Sequence, residues 1–447
     1  MLGPCHNLAV PATCLKSAPL QLSHEQVRSI ANQFGTPLYV FDEQSFRLRI
    51  REYRQAFSKA YKRSEINFAS KSNSTHAILA IAAQEGCFID VASEGELRAA
   101  ERAGISASQC NMHGNNKSAG ELSYAVKQGV RQIIIDNFDE LELLNQILIS
   151  DRTKLVLRLA PSVDPITHEK LKVGQAVTKF GFNIANGSAD SATKYCLDKG
   201  LPLIGYHSHV GSQLLDPLAQ KAGGEALAGF AMHVFKDFGF AASLLNLGGG
   251  LGVSYLPEQK PVDIDTYCQM VVDAVVSKLE GSGLNPTLAQ EPGRSLAAES
   301  GVTIYRVGPI KTVPKLKGDT VTFVNVDGGL SDNPRPGLYG GEYSISLTKK
   351  NEKECSSTAD KVVTVCGKHC EADILFPDKS LPDDIQSGDF LQVFATGAYN
   401  SSMASNYNRF ARPATVLIDS KDKFQIIQTR ETWDQMFARE LMPEALK

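Results

Sequence analysis

The sequence predicts an α/β region continued by an all-β one: a TIM-like (β/α)8 barrel with a second domain of β-sandwich or β-barrel-like type. Three observations carry this expectation. The chain has 447 residues, more than a single hydrophobic core usually holds, so two domains are expected. From about residue 66 short apolar or β-branched runs alternate with longer segments of helical apolar spacing. After residue 300 the helical rhythm stops, and strand-like runs punctuated by Gly, Pro, Asp and Asn take over.

Eight runs are the expected barrel strands: Ile66 to Lys71, Phe88 to Ser93, Gln109 to Gly114, Ile133 to Asn137, Leu155 to Ala160, Leu203 to Val210, Leu244 to Gly250 and Thr287 to Gly293. Between them, helical spacing is read over Thr75 to Gln84, Glu94 to Ala103, Ala119 to Lys127, Asp139 to Leu148, Ala226 to Phe238 and Ile264 to Leu279. Gly86, Gly104 and Gly129 stand where helices end. An open doubly wound sheet has the same local rhythm. Lys71, Asp90, His113, Asp136, Arg158, His209, the glycines at 248 to 250 and Glu291 decide between them, because each falls at or near the C-terminal end of a different run. Those ends converge on one face of a barrel and would be spread along an open sheet. The expected organisation is residues 1–44 as a segment giving Tyr39-Val40-Phe41 as a strand to the β-domain, 45–299 as the barrel, and 300–447 as the β-domain. Strands of the last are read at Val302 to Val307, Thr320 to Val326, Lys361 to Val365, Phe390 to Thr396, Ala414 to Ile418 and Phe424 to Thr429.

Composition narrows the function. Forty-six basic against 49 acidic residues give a net charge of -3, with no basic footprint for nucleic acid or anionic lipid. No apolar run reaches the length of a membrane span, and the first twenty residues lack a basic start followed by a continuous apolar stretch, so a soluble cytoplasmic protein acting on a small molecule is expected. Nine cysteines form no CxxC pair and HExxH is absent, which disfavours a disulfide framework, a zinc site and a catalytic metal.

Single residues are ambiguous. Lys71, followed by a Ser72-Asn73-Ser74 N-cap cluster, either snorkels to water or serves as a Schiff-base lysine, a role that needs a partly desolvated amine. Gly248-Gly249-Gly250 is a tight turn or a backbone cradle for an anion; it lacks the GKS/T of a nucleotide loop. Glu291-Pro292-Gly293-Arg294 is a second charged turn. His207 and His209, two residues apart on one strand face, suit a metal, a ring stacked on an aromatic cofactor, or plain core histidines.

Taken in order, Phe68-Ala69-Ser70-Lys71-Ser72-Asn73, His113-Gly114-Asn115-Asn116-Lys117-Ser118, His209-Val210-Gly211-Ser212-Gln213, Gly248-Gly249-Gly250, Glu291-Pro292-Gly293-Arg294, Ser331 to Tyr339, Gly367-Lys368-His369-Cys370-Glu371 and Ser405-Asn406-Tyr407-Asn408 are more specific. From about Thr36 to Thr415 the chain resembles the pyridoxal-phosphate-dependent decarboxylases of the alanine-racemase-like barrel type, in the branch that acts on meso-diaminopimelate. The resemblance implies that Lys71 holds pyridoxal 5'-phosphate, that His209 stacks on its ring and that Glu291 pairs with the ring nitrogen. It further implies that Ser212, Gly249, Gly250, Gly293, Arg294 and Tyr407 hold the phosphate, and that Arg294, Arg335, Tyr339, Glu371 and Tyr407 bind substrate. Cys370 would protonate the α-carbon from a second subunit of a homodimer. Relatives acting on ornithine, arginine or carboxynorspermidine, and non-catalytic cofactor carriers, are the alternatives. The family usually reads Cys-Glu-Ser-Gly-Asp where this chain has Cys370-Glu371-Ala372-Asp373, one residue shorter.

Overall fold

Eight parallel strands close into a ring in the computed structural model, which describes residues 17–148, 152–161, 178–315, 318–351 and 359–446. Ahead of the ring come helix α1 (His24–Phe34), strand β1 (Leu38–Asp42) and helix α2 (Glu43–Ala60). The following strands are β2 (Ser64–Ala69), β3 (Phe88–Val91), β4 (Cys110–Met112), β5 (Gln132–Ile135), β6 (Lys154–Ala160), β7 (Phe182–Asn183), β8 (Leu203–Ser208), β9 (Leu244–Asn246) and β10 (Thr287–Gln290). Pairing runs β2-β3-β4-β5-β6-β8-β9-β10, and β10 returns to β2 in parallel through Leu288↔Ser64 and Gln290↔Ile66. The two-residue β7 sits outside the ring on β6. Closure excludes the open sheet and brings all eight strand ends to one rim.

The strands read as apolar runs because both faces are covered. Ile134, Val156, Leu244 and Ala289 pack as one cluster, although β5, which carries Ile134, lies across the ring from β10, which carries Ala289. Such contacts pass through the barrel interior, which is therefore filled. Helices α3 (His76–Gln84), α4 (Glu94–Arg102), α5 (Ala119–Gln128), α6 (Phe138–Ile147), α7 (Ser188–Asp198), α8 (Leu218–Phe238) and α9 (Ile264–Leu279) connect the strands. Their starts follow local chemistry. Ser93, Ser118, Asn137 and Asp263 each accept a hydrogen bond from an orphan N–H of the first turn, and Gly129 in the left-handed region closes α5. One expected cap is corrected. The N-cap of α3 is Thr75, without a side-chain cap bond, while Asn73 accepts from the Thr75 N–H at 3.2 Å and Ser70–Ser72 form a short 3-10 turn. Lys71 thus sits two residues beyond its strand, on that turn.

The structure divides into two units: Met1–Ser17, Phe46–Ser254 and Gln259–Leu296 in the first, Ala18–Ser45, Tyr255–Glu258 and Ala297–Lys447 in the second. The second unit is built on strands β11 (Gly301–Pro314), β12 (Thr320–Val326), β13 (Ile345–Thr348), β14 (Asp360–Cys366), β15 (Ile374–Pro382), β16 (Phe390–Val393), β17 (Ala414–Ile418) and β18 (Phe424–Gln428). Its order is β15-β14-β12-β11-β1-β17-β18, with β16 joining β11 and β13. Strand β1 lies inside this sheet, Val40 facing Val302 in antiparallel and Val416 in parallel register. Val27, Ile30 and Ala31 of α1 pack on Leu38, Val40, Val302, Ile304 and Val416, so a helix missed in the sequence reading completes this core. Its signal was the Ser23-to-Gln26 capping box.

A buried ion pair braces the barrel rim. Lys117 Nζ donates to Glu140 Oε1 at 2.6 Å, to the Ile134 carbonyl at 2.8 Å and to the Gly114 carbonyl at 2.7 Å, with both charged side chains only 2% exposed. Removing one partner strands the other charge. Lys117→Met is therefore expected to lower unfolding stability by roughly 3 to 5 kcal/mol, and Lys117→Met/Glu140→Leu by clearly less. Urea denaturation of both variants checks this, and a double variant as unstable as the single one would contradict it.

Candidate active site

Glu291, the residue after β10, is the centre of the first unit's polar rim. Three other strands supply its partners. Asn246, closing β9, donates from Nδ2 to Glu291 Oε1 at 2.6 Å, while its Oδ1 accepts from the Gly248 N–H at 3.0 Å. His207 on β8 places Nε2 at 3.1 Å from Oε2. His113, one residue past β4, places Nε2 at 3.2 Å from Oε1 and at 3.6 Å from Asp90 Oδ1 on β3. Asn111 donates to that same Asp90 oxygen at 2.9 Å.

The charges follow from these distances. Burial works against ionising Glu291, but His113 and His207 outweigh it and hold the carboxyl well below its usual range. Burial likewise opposes protonation of His113, yet the carboxylates of Glu291 and Asp90 push it up to about 9. Burial dominates at His207, which falls to about 4 despite Glu291, and at Asp90, which rises to about 6 with Glu291 adding to the effect. One imidazolium between two carboxylates, flanked by a neutral imidazole, is the arrangement. His113, His207 and Glu291 also bring nitrogen and oxygen atoms within 4.8 Å of one another. Glu291 is at the same time engaged by Asn246 and faced by both histidines, so the set forms a charge chain.

His209, just past β8, donates from Nδ1 to the Gly249 carbonyl at 3.0 Å, which fixes the tautomer of its ring. Burial and the cations Lys71 and Arg158 push it well below its ordinary value, so it is neutral. Beside it the triple glycine passes where no side chain fits: a Cβ on Gly249 would lie 2.2 Å from the Glu291 carbonyl oxygen, and Gly250 adopts φ +147°. Arg294, buried after Gly293, donates to Ser212 Oγ at 3.3 Å, joining two of the expected anion-binding turns. Lys71 is exposed on its turn, and Arg158 lies 4.1 Å over the Phe180 ring with Nη1 3.5 Å from Asp136 Oδ1. This set suits a flat, anionic cofactor: a backbone cradle with guanidinium and hydroxyl donors, a neutral imidazole and an ionised carboxylate. The resemblance gave no role to Asp90, His113, His207 or Asn246, and only His207 was weighed, with His209, as a metal ligand or a stacking ring. The first three were visible as polar residues on strands or strand ends; Asn246 left no signal beyond its place before the glycines.

The second unit gathers the remaining expected residues in two places. Arg335, buried at the start of a short helix ending at Tyr339, donates to Tyr343 Oη at 2.6 Å and lies 4.5 Å over the Tyr255 ring. Its Nε has no hydrogen-bond partner, and no carboxylate among the described residues pairs with it. Tyr255 and Tyr343 are far from Arg335 in sequence or on another element, so no motif announced them. Cys370 and Glu371 are exposed on the turn after β14, the Cys370 N–H donating to Asn408 Oδ1 at 3.0 Å and Glu371 accepting from Tyr407. Asp373 closes the shortened turn. It pairs with His369 Nδ1 at 2.5 Å and accepts from the Leu330 N–H at 3.0 Å.

Residues 47–298 match the family model described as pyridoxal-dependent decarboxylase, pyridoxal binding domain. The chain is 39% identical to diaminopimelate decarboxylase of Synechocystis, covering 99% of this chain and 95% of the relative, and 37% identical to that of Bacillus subtilis, covering 92% and 93%. Among solved structures, diaminopimelate decarboxylase from M. jannaschii in complex with L-lysine superposes with a TM-score of 0.84 at 30% identity, over 94% of this chain and 96% of that one. Among the described residues no helix is long and apolar enough to cross a membrane.

The raised pKa of His113 has a consequence for stability. Its folded value of about 9 exceeds the ordinary 6.5, so between these values the folded protein binds more proton than the unfolded one. The contribution is complete below about pH 6.5 and is lost as the pH rises through about 9. Thermal unfolding should show a stability decline across that window that His113→Gln flattens; an equal decline in the variant would contradict the charge assignment.

Proposed function

The chain belongs to the pyridoxal-dependent decarboxylase family, and from that premise we propose that it removes one carboxylate of meso-diaminopimelate as carbon dioxide, leaving L-lysine. The observation that carries the substrate reading is Arg335, a buried guanidinium with two aromatic neighbours and, among the described residues, no anion of its own. A buried charge left alone is costly. The distal carboxylate of meso-diaminopimelate supplies the missing anion in the form a guanidinium binds best. Ornithine and arginine have no second carboxylate to offer. The diaminopimelate decarboxylases at 37 to 39% identity, and the M. jannaschii enzyme that carries L-lysine, support the same choice.

In this reading Lys71 carries pyridoxal phosphate, His209 stacks on its ring, and Ser212, Gly249, Gly250, Gly293, Arg294 and Tyr407 hold its phosphate. Bound there, the cofactor supplies an electron sink for the pair released when the carboxylate leaves. Glu291 keeps a proton at the ring nitrogen, a task for which an anionic carboxylate in a buried site is suited. Arg335 holds the distal carboxylate of the substrate and Glu371 its distal ammonium, with Arg294, Tyr339 and Tyr407 completing the contacts. Cys370 of a second copy of the chain, in a homodimer, delivers from its thiol the proton that replaces carbon dioxide on the α-carbon.

The test is carbon dioxide release from meso-diaminopimelate, L-ornithine, L-arginine, carboxynorspermidine and L-lysine side by side. Only the first is expected to react well, since a substrate without the distal carboxylate leaves the arginine unpaired. Arg335→Ala forfeits a charge-assisted bond of roughly 1.5 to 3 kcal/mol, about one to two powers of ten in kcat/KM, without removing the absorbance of the bound cofactor. Comparable turnover of ornithine, or a kinetically silent Arg335→Ala, would assign the chain another diamino acid.

A further inference from the structure

The proposed chemistry leaves the place of His113 in the charge chain unexplained. Its backbone is held first: the His113 N–H donates to the Val91 carbonyl at 2.7 Å, and the next carbonyl, that of Gly114, accepts from the buried Lys117 ammonium at 2.7 Å. The ring is 14% exposed and meets His207 edge-on, centroids 5.3 Å apart at 75°. Its buried Nε2, which makes no directed hydrogen bond, then falls at ion-pair distance from the carboxylates of Asp90, at 3.6 Å, and Glu291, at 3.2 Å. Asp90 is buried, and among the described residues its Oδ2 has no hydrogen-bond partner and His113 is the cation paired with it. Two buried carboxylates this close to one atom repel, and one of them takes up a proton unless a cation stands between.

We infer that His113 is a positioning residue of the cofactor pocket, an imidazolium that bridges Asp90 to Glu291 and fixes the Glu291 carboxylate as the anion facing the ring nitrogen of pyridoxal phosphate. The inference rests on the proposed cofactor only for what Glu291 faces; the bridge itself is a property of the chain. The bridge explains why Glu291 needs three partners. Asn246 and His207 orient its oxygens as neutral donors, and His113 alone brings charge. Arg158 is the other cation felt by Glu291, and it is turned to Asp136. Glutamine at position 113 keeps a donor but cannot carry the charge, so Asp90 and Glu291 then compete for a proton. Removing the Asp90 charge as well relieves that competition.

The wild type, His113→Gln, Asp90→Asn and the double variant, each purified with its cofactor, are compared for cofactor release on gel filtration, for the pH dependence of the cofactor absorbance, and for kcat and KM. His113→Gln is expected to fold, to release cofactor about tenfold faster or more, to shift the absorbance titration, and to lose kcat more than KM. The double variant is expected to recover much of the retention, which a merely structural role would not produce. Unchanged release and absorbance in His113→Gln, or a double variant no better than the single, would overturn the bridge. Histidine-selective NMR keeps the two readings apart. A His113 ring protonated at neutral pH in the wild type, and neutral in Asp90→Asn/Glu291→Gln, supports the bridge even if the protein binds no pyridoxal phosphate. A ring neutral in the wild type overturns it even if the cofactor is bound.

Discussion

Closing eight parallel strands into a ring sends every strand to the same rim, and this constraint organises the whole first unit. The return of β10 onto β2 is what places Glu291 among residues that are scattered in the sequence: Asp90, His113, His207 and Asn246 come from four other strands or their ends. An open sheet would separate the first strand from the last and dissolve the cluster. The rim has a price in backbone freedom that only glycine meets, since Gly248 and Gly249 run so close to neighbouring carbonyls that a Cβ would lie 2.4 and 2.2 Å from them. Packing inside the ring and chemistry at its edge are therefore one problem.

Electrostatics then sorts the rim. Burial alone would neutralise every ionisable group on it. Instead the carboxylates gather around one imidazole, and the histidines divide into one charged ring, His113, and two neutral ones, His207 and His209. A neutral ring can lie flat on an aromatic cofactor, while an ionised carboxylate can hold a proton at a ring nitrogen. The second unit repeats the logic with opposite sign. There Arg335 is buried against tyrosine rings with no anion among the described residues, whereas Asp332, buried with Tyr305 as its hydrogen-bond donor, is pushed up to about 7.

The barrel strands were legible because strands covered on both faces become short apolar runs, and all eight expected runs overlap a ring strand. The β-domain was read less completely. Strand β13 is only four residues long, and β15 carries Pro377, Asp378 and Lys379 in its middle with exposed positions on both sides, so neither shows a clean alternation. Helices α1 and α2 lie before the rhythm that drew the reading, although Phe46, Ile50, Tyr53 and Phe57 form a buried stripe at helical spacing. At the site, Lys71, His209 and Glu291 stood out through their motifs. The partners of Glu291 did not, because the pairing of a carboxylate with His113 and Asn246 is made by ring closure and leaves no local pattern. The same holds for Tyr255 and Tyr343 around Arg335.

In the proposed function the converging strand ends of the barrel build a pocket in which Lys71 holds pyridoxal phosphate. Borohydride reduction of the purified protein followed by peptide mapping checks this placement. A single pyridoxyl tag is expected, on Lys71 in the peptide containing Phe68-Ala69-Ser70, with loss of the tag in Lys71→Ala. A tag on Lys117, Lys179 or any other lysine, or no tag on a protein that retains the cofactor, would contradict it.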